Sequence, residues 1–132
     1  MTEFGDIAER LARVRQQIED AGGSDVEVLA VTKGHDAAAI VAASAVGLTA
    51  IGENYAQELV AKVSGMTLDV AVHFIGQLQS NKVRQIAGLV DVYETVDRPA
   101  LITEIAKRAP GARVLIQVDT TGDPGKGGCR PG

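Results

Sequence analysis

The chain has no tryptophan and only two tyrosines and two phenylalanines, so it lacks the aromatic platforms on which single-stranded nucleic acids stack. Basic residues are outnumbered, 13 against 17 acidic, for a net charge of -4. That balance argues against a general binder of phosphate backbones. A single cysteine, Cys129, excludes an internal disulfide and fits a reducing compartment. His35 and His73 are the two histidines, and their spacing from each other and from Cys129 matches no zinc-ligand pattern. No metal is expected. No apolar run is long enough to cross a bilayer, and Met1-Thr-Glu-Phe-Gly-Asp6 has neither the basic start nor the apolar core of a signal peptide. The expectation is a cytoplasmic protein with no nucleic-acid or membrane partner. There is no Gly-x-Ser-x-Gly elbow for serine nucleophiles and no Gly-x-Gly-x-x-Gly after the first strand. The run Asp123-Pro-Gly-Lys126-Gly-Gly has no Ser or Thr after its lysine and no helix opening there, as a phosphate-binding loop requires.

What the chain does have is aliphatic content, 45% of its 132 residues being hydrophobic. That is enough to bury a core in one domain spanning residues 1–132. Ile7, Leu11, Val14 and Ile18 recur at helical spacing up to Gly22-Gly23, which predicts an amphipathic helix. Residues 26–31 follow as a nearly unbroken apolar strand, the signature of a strand buried on both faces. The alternation continues with a helix at 36–46, a strand at 48–51, a helix at 54–63 and a strand at 70–75. A short helix at 80–87, a strand at 90–96, a helix from Pro99 to 109 and a strand at 114–118 complete it. Residues 119–132, rich in glycine and proline, read as a loop. Strand and helix alternating at this period make an α/β architecture with a parallel sheet. With no helix after the fifth strand to cover it, the chain looks unfinished.

Polar chemistry recurs where the strands end. Lys33 and His35 follow the first, Gly52-Glu53-Asn54 the second, Gly76-Gln-Leu-Gln-Ser80-Asn81-Lys82 the third, and Asp119 with the Lys126 loop the fifth. If the strands are parallel these groups gather at their carboxyl end, where α/β proteins bind ligands. Lys33 is the most informative, because an amine beside apolar walls loses solvation and becomes able to attack a carbonyl. Each residue also has a plainer reading. A lysine stem can cover apolar surface with its head in water, and Asn54, Ser80 or Asn81 can be helix caps. Glu53 can be a solvated turn residue, Lys126 a solvated loop residue, and His73 a hydrogen-bonded core residue.

Taken together, the segments Ala30-Val-Thr-Lys33, Ile51-Gly-Glu-Asn54 with Gln57-Glu-Leu59, and His73-Phe-Ile-Gly-Gln-Leu-Gln-Ser-Asn-Lys82 resemble the pyridoxal 5'-phosphate homeostasis protein family. The resemblance runs in one register over essentially the whole chain. It implies the fold of the alanine racemase amino-terminal domain, a parallel (β/α) barrel of TIM type, here incomplete with about five of the eight strands of such a barrel. It implies that Lys33 holds pyridoxal 5'-phosphate as a Schiff base and that Asn54 lies near the cofactor ring. His73, Ser80 and Asn81 belong to the signature around the third strand as weaker candidates for lining the site. Lys126 matches a loop lysine associated with cofactor transfer or a second binding site. The implied role is a carrier in intracellular cofactor homeostasis, with no catalytic residue and with cofactor-dependent apo-enzymes as recipients. The alternative is an amino-acid racemase or related enzyme on the same fold, but racemisation needs a base on each face of the substrate carbanion, and relatives that racemise draw one from a second domain. His35 departs from the family, which often has a second lysine there. The remaining strands should carry the phosphate-gripping loops, so these 132 residues alone are expected to hold the cofactor weakly and to expose two sheet edges.

Overall fold

The first helix, α1 (Ile7–Asp20), ends where the pattern says it should. Gly22 adopts φ 84° and the Gly23 amide returns to the Ile18 carbonyl at 2.8 Å, a turn that a side chain would oppose. In this computed structural model, which describes residues 4–132, five parallel strands follow: β1 (Ala30–Val31), β2 (Ala50–Glu53), β3 (Ala71–Phe74), β4 (Val92–Val96) and β5 (Arg113–Ile116). Helices α2 (Ala37–Ala45), α3 (Ala56–Val63), α4 (Val83–Ile86) and α5 (Pro99–Arg108) make the crossovers, and a 3-10 turn at Ser80–Lys82 precedes α4. Met1–Glu3, half of the segment read as lacking a signal, lie outside the described residues.

The strands lie side by side in chain order, β1-β2-β3-β4-β5, every pair parallel. Sequential order puts every crossover helix on the same side, as successive units of a parallel barrel do; a doubly wound sheet reverses direction partway. The expected α/β parallel barrel architecture is therefore what the chain folds into, with five strands present.

Register assigns the two faces. Val31, Gly52, His73, Val92 and Arg113 form one lateral row across the sheet. The neighbouring positions, Ile51 with Val72 and Phe74 with Tyr93, point the other way by the pleat. That second set packs with Ile40, Leu59, Val63, Val83, Ile86, Leu101 and Ile105 from the helices in one buried cluster. At about 1.5–3 kcal/mol per buried large aliphatic side chain, this layer between sheet and helices carries most of the cohesion. The Val31–Gly52–His73 face is opposite the helices.

Strands β1 to β4 all start later than the apolar pattern implies, and for two of them the local reason is visible. Gly47 takes φ 88° and the Leu48 amide closes on the Ala43 carbonyl at 3.1 Å. Leu48 thus caps α2, and β2 begins at Ala50 instead of 48. Of the apolar run 26–31 only Ala30 and Val31 pair with a neighbour, and Val26 is 53% exposed. An apolar run makes a strand only where a partner supplies the hydrogen bonds.

Candidate functional site

The carboxyl ends of β1 and β2 are tied together. The Thr32 amide donates to the Gly52 carbonyl at 3.0 Å, and the His35 amide closes a turn on the Thr32 carbonyl at 3.2 Å. Lys33 sits in that turn and is exposed. Asp36 then caps α2 through its side chain, which accepts the Ala38 amide at 3.0 Å.

Behind this turn lies a set of buried charges. The Glu53 side chain is fully buried, a correction to the reading of it as a solvated turn residue. It accepts from the Thr32 hydroxyl at 2.9 Å and pairs with the Lys62 ammonium, whose side chain is 3% exposed. Lys62 also donates to the Thr32 carbonyl at 2.9 Å and to Glu58 Oε1 at 3.1 Å. Glu58 in turn accepts the Gly34 amide at 2.5 Å. That amide, followed by Lys62, holds the Glu58 carboxyl below its ordinary value of 4.5 against the opposing effect of burial. Lys62 was not anticipated from sequence. Glu58 and Lys62, four apart on α3, were readable as a helix-surface pair, but the buried partner Glu53 was not.

Asn54 leaves β2 beside the exit of β3. A Cβ on Gly76 would stand 2.0 Å from the Asn54 carbonyl oxygen, so only glycine allows this approach. Asn54 Oδ1 is buried and has no hydrogen-bond partner among the described residues. His73, on the face opposite the helices, is in a similar state. Its Nδ1 is 2.6 Å from Glu94 Oε1, while its Nε2 is buried without a partner among the described residues. In the neutral tautomer whose Nδ1–H donates to Glu94, the ring presents Nε2 as an acceptor. On the same face Gly52 leaves room for Ile75, whose Cδ1 would be 2.9 Å from an added Cβ.

Beyond Asn54 a cleft of about 640 Å³ runs along the carboxyl ends of β2, β3 and β4. Asn54, Gln77, Lys82, Asp97, Arg98 and Lys126 are among its walls. Residues 117–129 fold back to close it: the Cys129 amide reaches the Gln117 carbonyl at 2.9 Å and the Gly128 amide reaches Asp97 Oδ2 at 3.0 Å. Burial opposes the charge on Asp97, yet the Gly128 amide and the Arg98 guanidinium outweigh it and hold the carboxyl below 3.8.

The sequence-derived residues therefore divide. Lys33 and Asn54 stand at the ends of paired strands, and Asn54 and Lys126 share the cleft. Ser80 and Asn81 instead line a second depression with Arg84, Glu104 and Arg108, on the α4–α5 side. His35 makes an edge-on ring contact with Phe4, centroids 5.7 Å apart. Among the described residues no group of histidine, cysteine and carboxylate side chains could hold a metal ion, and no helix is long and apolar enough to cross a membrane.

No protein-family model matches the chain. It is 38% identical over 96% of its length to a pyridoxal phosphate homeostasis protein of Pseudomonas aeruginosa, spanning 58% of that protein. A protein of the same name from Schizosaccharomyces pombe is 40% identical over 89% of the chain, which spans 53% of it. Over nearly its whole length the chain is thus similar to proteins named pyridoxal phosphate homeostasis protein. PipY of Synechococcus elongatus, solved with pyridoxal phosphate bound, superposes with a TM-score of 0.79 at 36% identity, the match covering 95% of this chain and 58% of PipY. The chain thus spans between about half and three fifths of the length of these relatives.

Proposed function

We propose that this chain binds pyridoxal 5'-phosphate and acts as a carrier in its intracellular homeostasis, working in the cytoplasm as one domain. When bound, the cofactor supplies an aldehyde that condenses reversibly with a primary amine. The observation that carries the reading is the exposed Lys33 on the turn after β1, at the same end of the sheet as Asn54 Oδ1, which is buried without a partner among the described residues.

The residues present suit a small, flat, anionic aldehyde. Lys33 is the amine that would hold it. Asn54 Oδ1 and His73 Nε2 are acceptors waiting for donors, since a buried polar atom without a partner costs about 1–3 kcal/mol until a ligand or water satisfies it. Lys126 and Lys82, both among the walls of the cleft, offer positive charge to a phosphate. Ser80 and Asn81 enter the proposal through the turn they build, which carries Lys82 to the cleft wall. The relatives' names and the cofactor bound to PipY support this reading.

A carrier needs recipients, and we infer that apo-enzymes dependent on the same cofactor receive it. A racemase would need a proton-transferring group on each side of the reacting carbon. The test of the carrier reading is direct. Incubation with pyridoxal phosphate followed by borohydride should attach a pyridoxyl group to Lys33, located by peptide mass mapping, and Lys33→Ala should abolish it. Labelling spread evenly over the exposed lysines would count against the site. Turnover of D- or L-alanine would replace the carrier by the enzyme reading.

A further inference from the structure

Lys62 uses all three donors of its ammonium on partners around the Lys33 turn: the Thr32 carbonyl, Glu53 and Glu58. Glu53 accepts the Thr32 hydroxyl, and Glu58 accepts the Gly34 amide. The residues immediately before and after Lys33 are therefore both held by this one cluster. A buried ion pair is seldom more stabilising than apolar side chains of the same volume. Apolar side chains, however, offer no acceptor to the Gly34 amide and no donor to the Thr32 carbonyl.

We propose that Lys62, Glu53 and Glu58 are positioning residues for Lys33, clamping the main chain on both sides of it so that its amine is presented at the rim of the sheet. The inference rests on the reading of Lys33 as the amine that holds the cofactor. Glu58 is the member to change first, because its side chain is 28% exposed and its loss leaves the Glu53–Lys62 pair intact. The hydrogen bonds and ion pairs of this cluster reach Thr32 and Gly34 but not the Lys33 side chain, so the clamp acts through the backbone.

Three variants separate positioning from mere stability. Glu58→Ala removes the acceptor of the Gly34 amide, Glu58→Gln keeps an oxygen in its place, and Val63→Ala opens a cavity in the same helix without touching the clamp. Three readouts apply to each: hydrogen exchange of the Gly34 amide, acetylation of Lys33 relative to Lys107 on α5 by dilute acetic anhydride, and pyridoxyl trapping at Lys33 by borohydride. Glu58→Ala should speed Gly34 exchange by about tenfold, the equivalent of one lost hydrogen bond. It should also alter the Lys33-to-Lys107 acetylation ratio and lower trapping several-fold, with Glu58→Gln restoring most of both. Val63→Ala should lower the melting temperature and leave the acetylation ratio unchanged.

Unchanged Gly34 exchange in Glu58→Ala would overturn the clamp, as would an equal change in acetylation ratio in Val63→Ala. If wild-type Lys33 takes no pyridoxyl group, the cofactor reading fails, while amide exchange and acetylation still decide the clamp. Both failures are therefore distinguishable.

Discussion

The two flanks of the sheet are held by different means. At the β1–β2 flank, buried charges tie side chains to backbone: Lys62 reaches Thr32 and Glu53, and Glu58 reaches Gly34. At the β4–β5 flank, the residues of β5 are all exposed, and the segment after it is held by backbone pairing and by the Gly128 amide on Asp97. The first arrangement ties the turn down on both sides of Lys33 at the cost of removing charges from water. The second is cheap in desolvation and easily opened. A residue that must meet a ligand in one orientation belongs on the first kind of flank, and Lys33 is there.

The largest test of this contrast is Lys62→Met. It leaves the fully buried Glu53 without its cation, which should cost about 3–5 kcal/mol of stability, measured by urea unfolding. A change under 1 kcal/mol or so would mean that the cluster is solvated and the two flanks are alike. Next, Leu59→Ala, on the helix bearing the clamp and with no exposed surface, should cost about 2–5 kcal/mol through the cavity it leaves. Leu115→Ala on β5, where the side chain is 55% exposed, should stay within about 0.5 kcal/mol. Equal costs would erase the distinction between the flanks.

Tyr93 gives a smaller effect of opposite sign. Its hydroxyl is buried without a partner among the described residues, so Tyr93→Phe should stabilise by about 1 kcal/mol. Burial, followed by the charge of Asp91, pushes the phenol from 10.0 up to about 12. The folded state therefore prefers the neutral phenol. Its contribution is complete below pH 10 and is lost as pH rises toward about 12, because the unfolded chain ionises first. The alkaline decline in melting temperature should be shallower in Tyr93→Phe.

The smallest expected effect concerns the loose flank. Asp97 titrates below 3.8 in the folded chain, so its hold on Gly128 is complete at neutral pH and is lost as the medium is acidified through and below that value. Asp97→Ala should speed exchange of the Gly128 amide by about tenfold at neutral pH while leaving Gly34 unaffected. A parallel change at Gly34 would show that the two flanks are coupled.

Much of the fold was legible in the alternation of apolar runs and helical stripes, because each crossover is local. Pro99 does open α5, while Asp36, read as the start of its helix, turns out to be the cap before it. Errors fell at strand starts, since whether Leu48 pairs or caps depends on the geometry of the preceding turn, and whether 26–29 pair depends on a neighbour distant in sequence. The site was legible in part. Lys33 and Asn54 stood out because they end strands, and parallel pairing had to bring those ends together. Lys62 and Glu94 stayed hidden for a different reason. A lysine on a helix and a glutamate in a strand look solvated until the fold sets a carboxylate or an imidazole against them.

The contact between Gly76 and the Asn54 carbonyl has a consequence for how this rim tolerates change. Main chain meets main chain there, so even a methyl group must push two strand exits apart and carry the asparagine with it. A mutational scan would score position 76 among the most sensitive, although glycine offers no side chain to any ligand. Sensitivity to substitution would in that case report the seam between two loops, with loss of binding as its shadow.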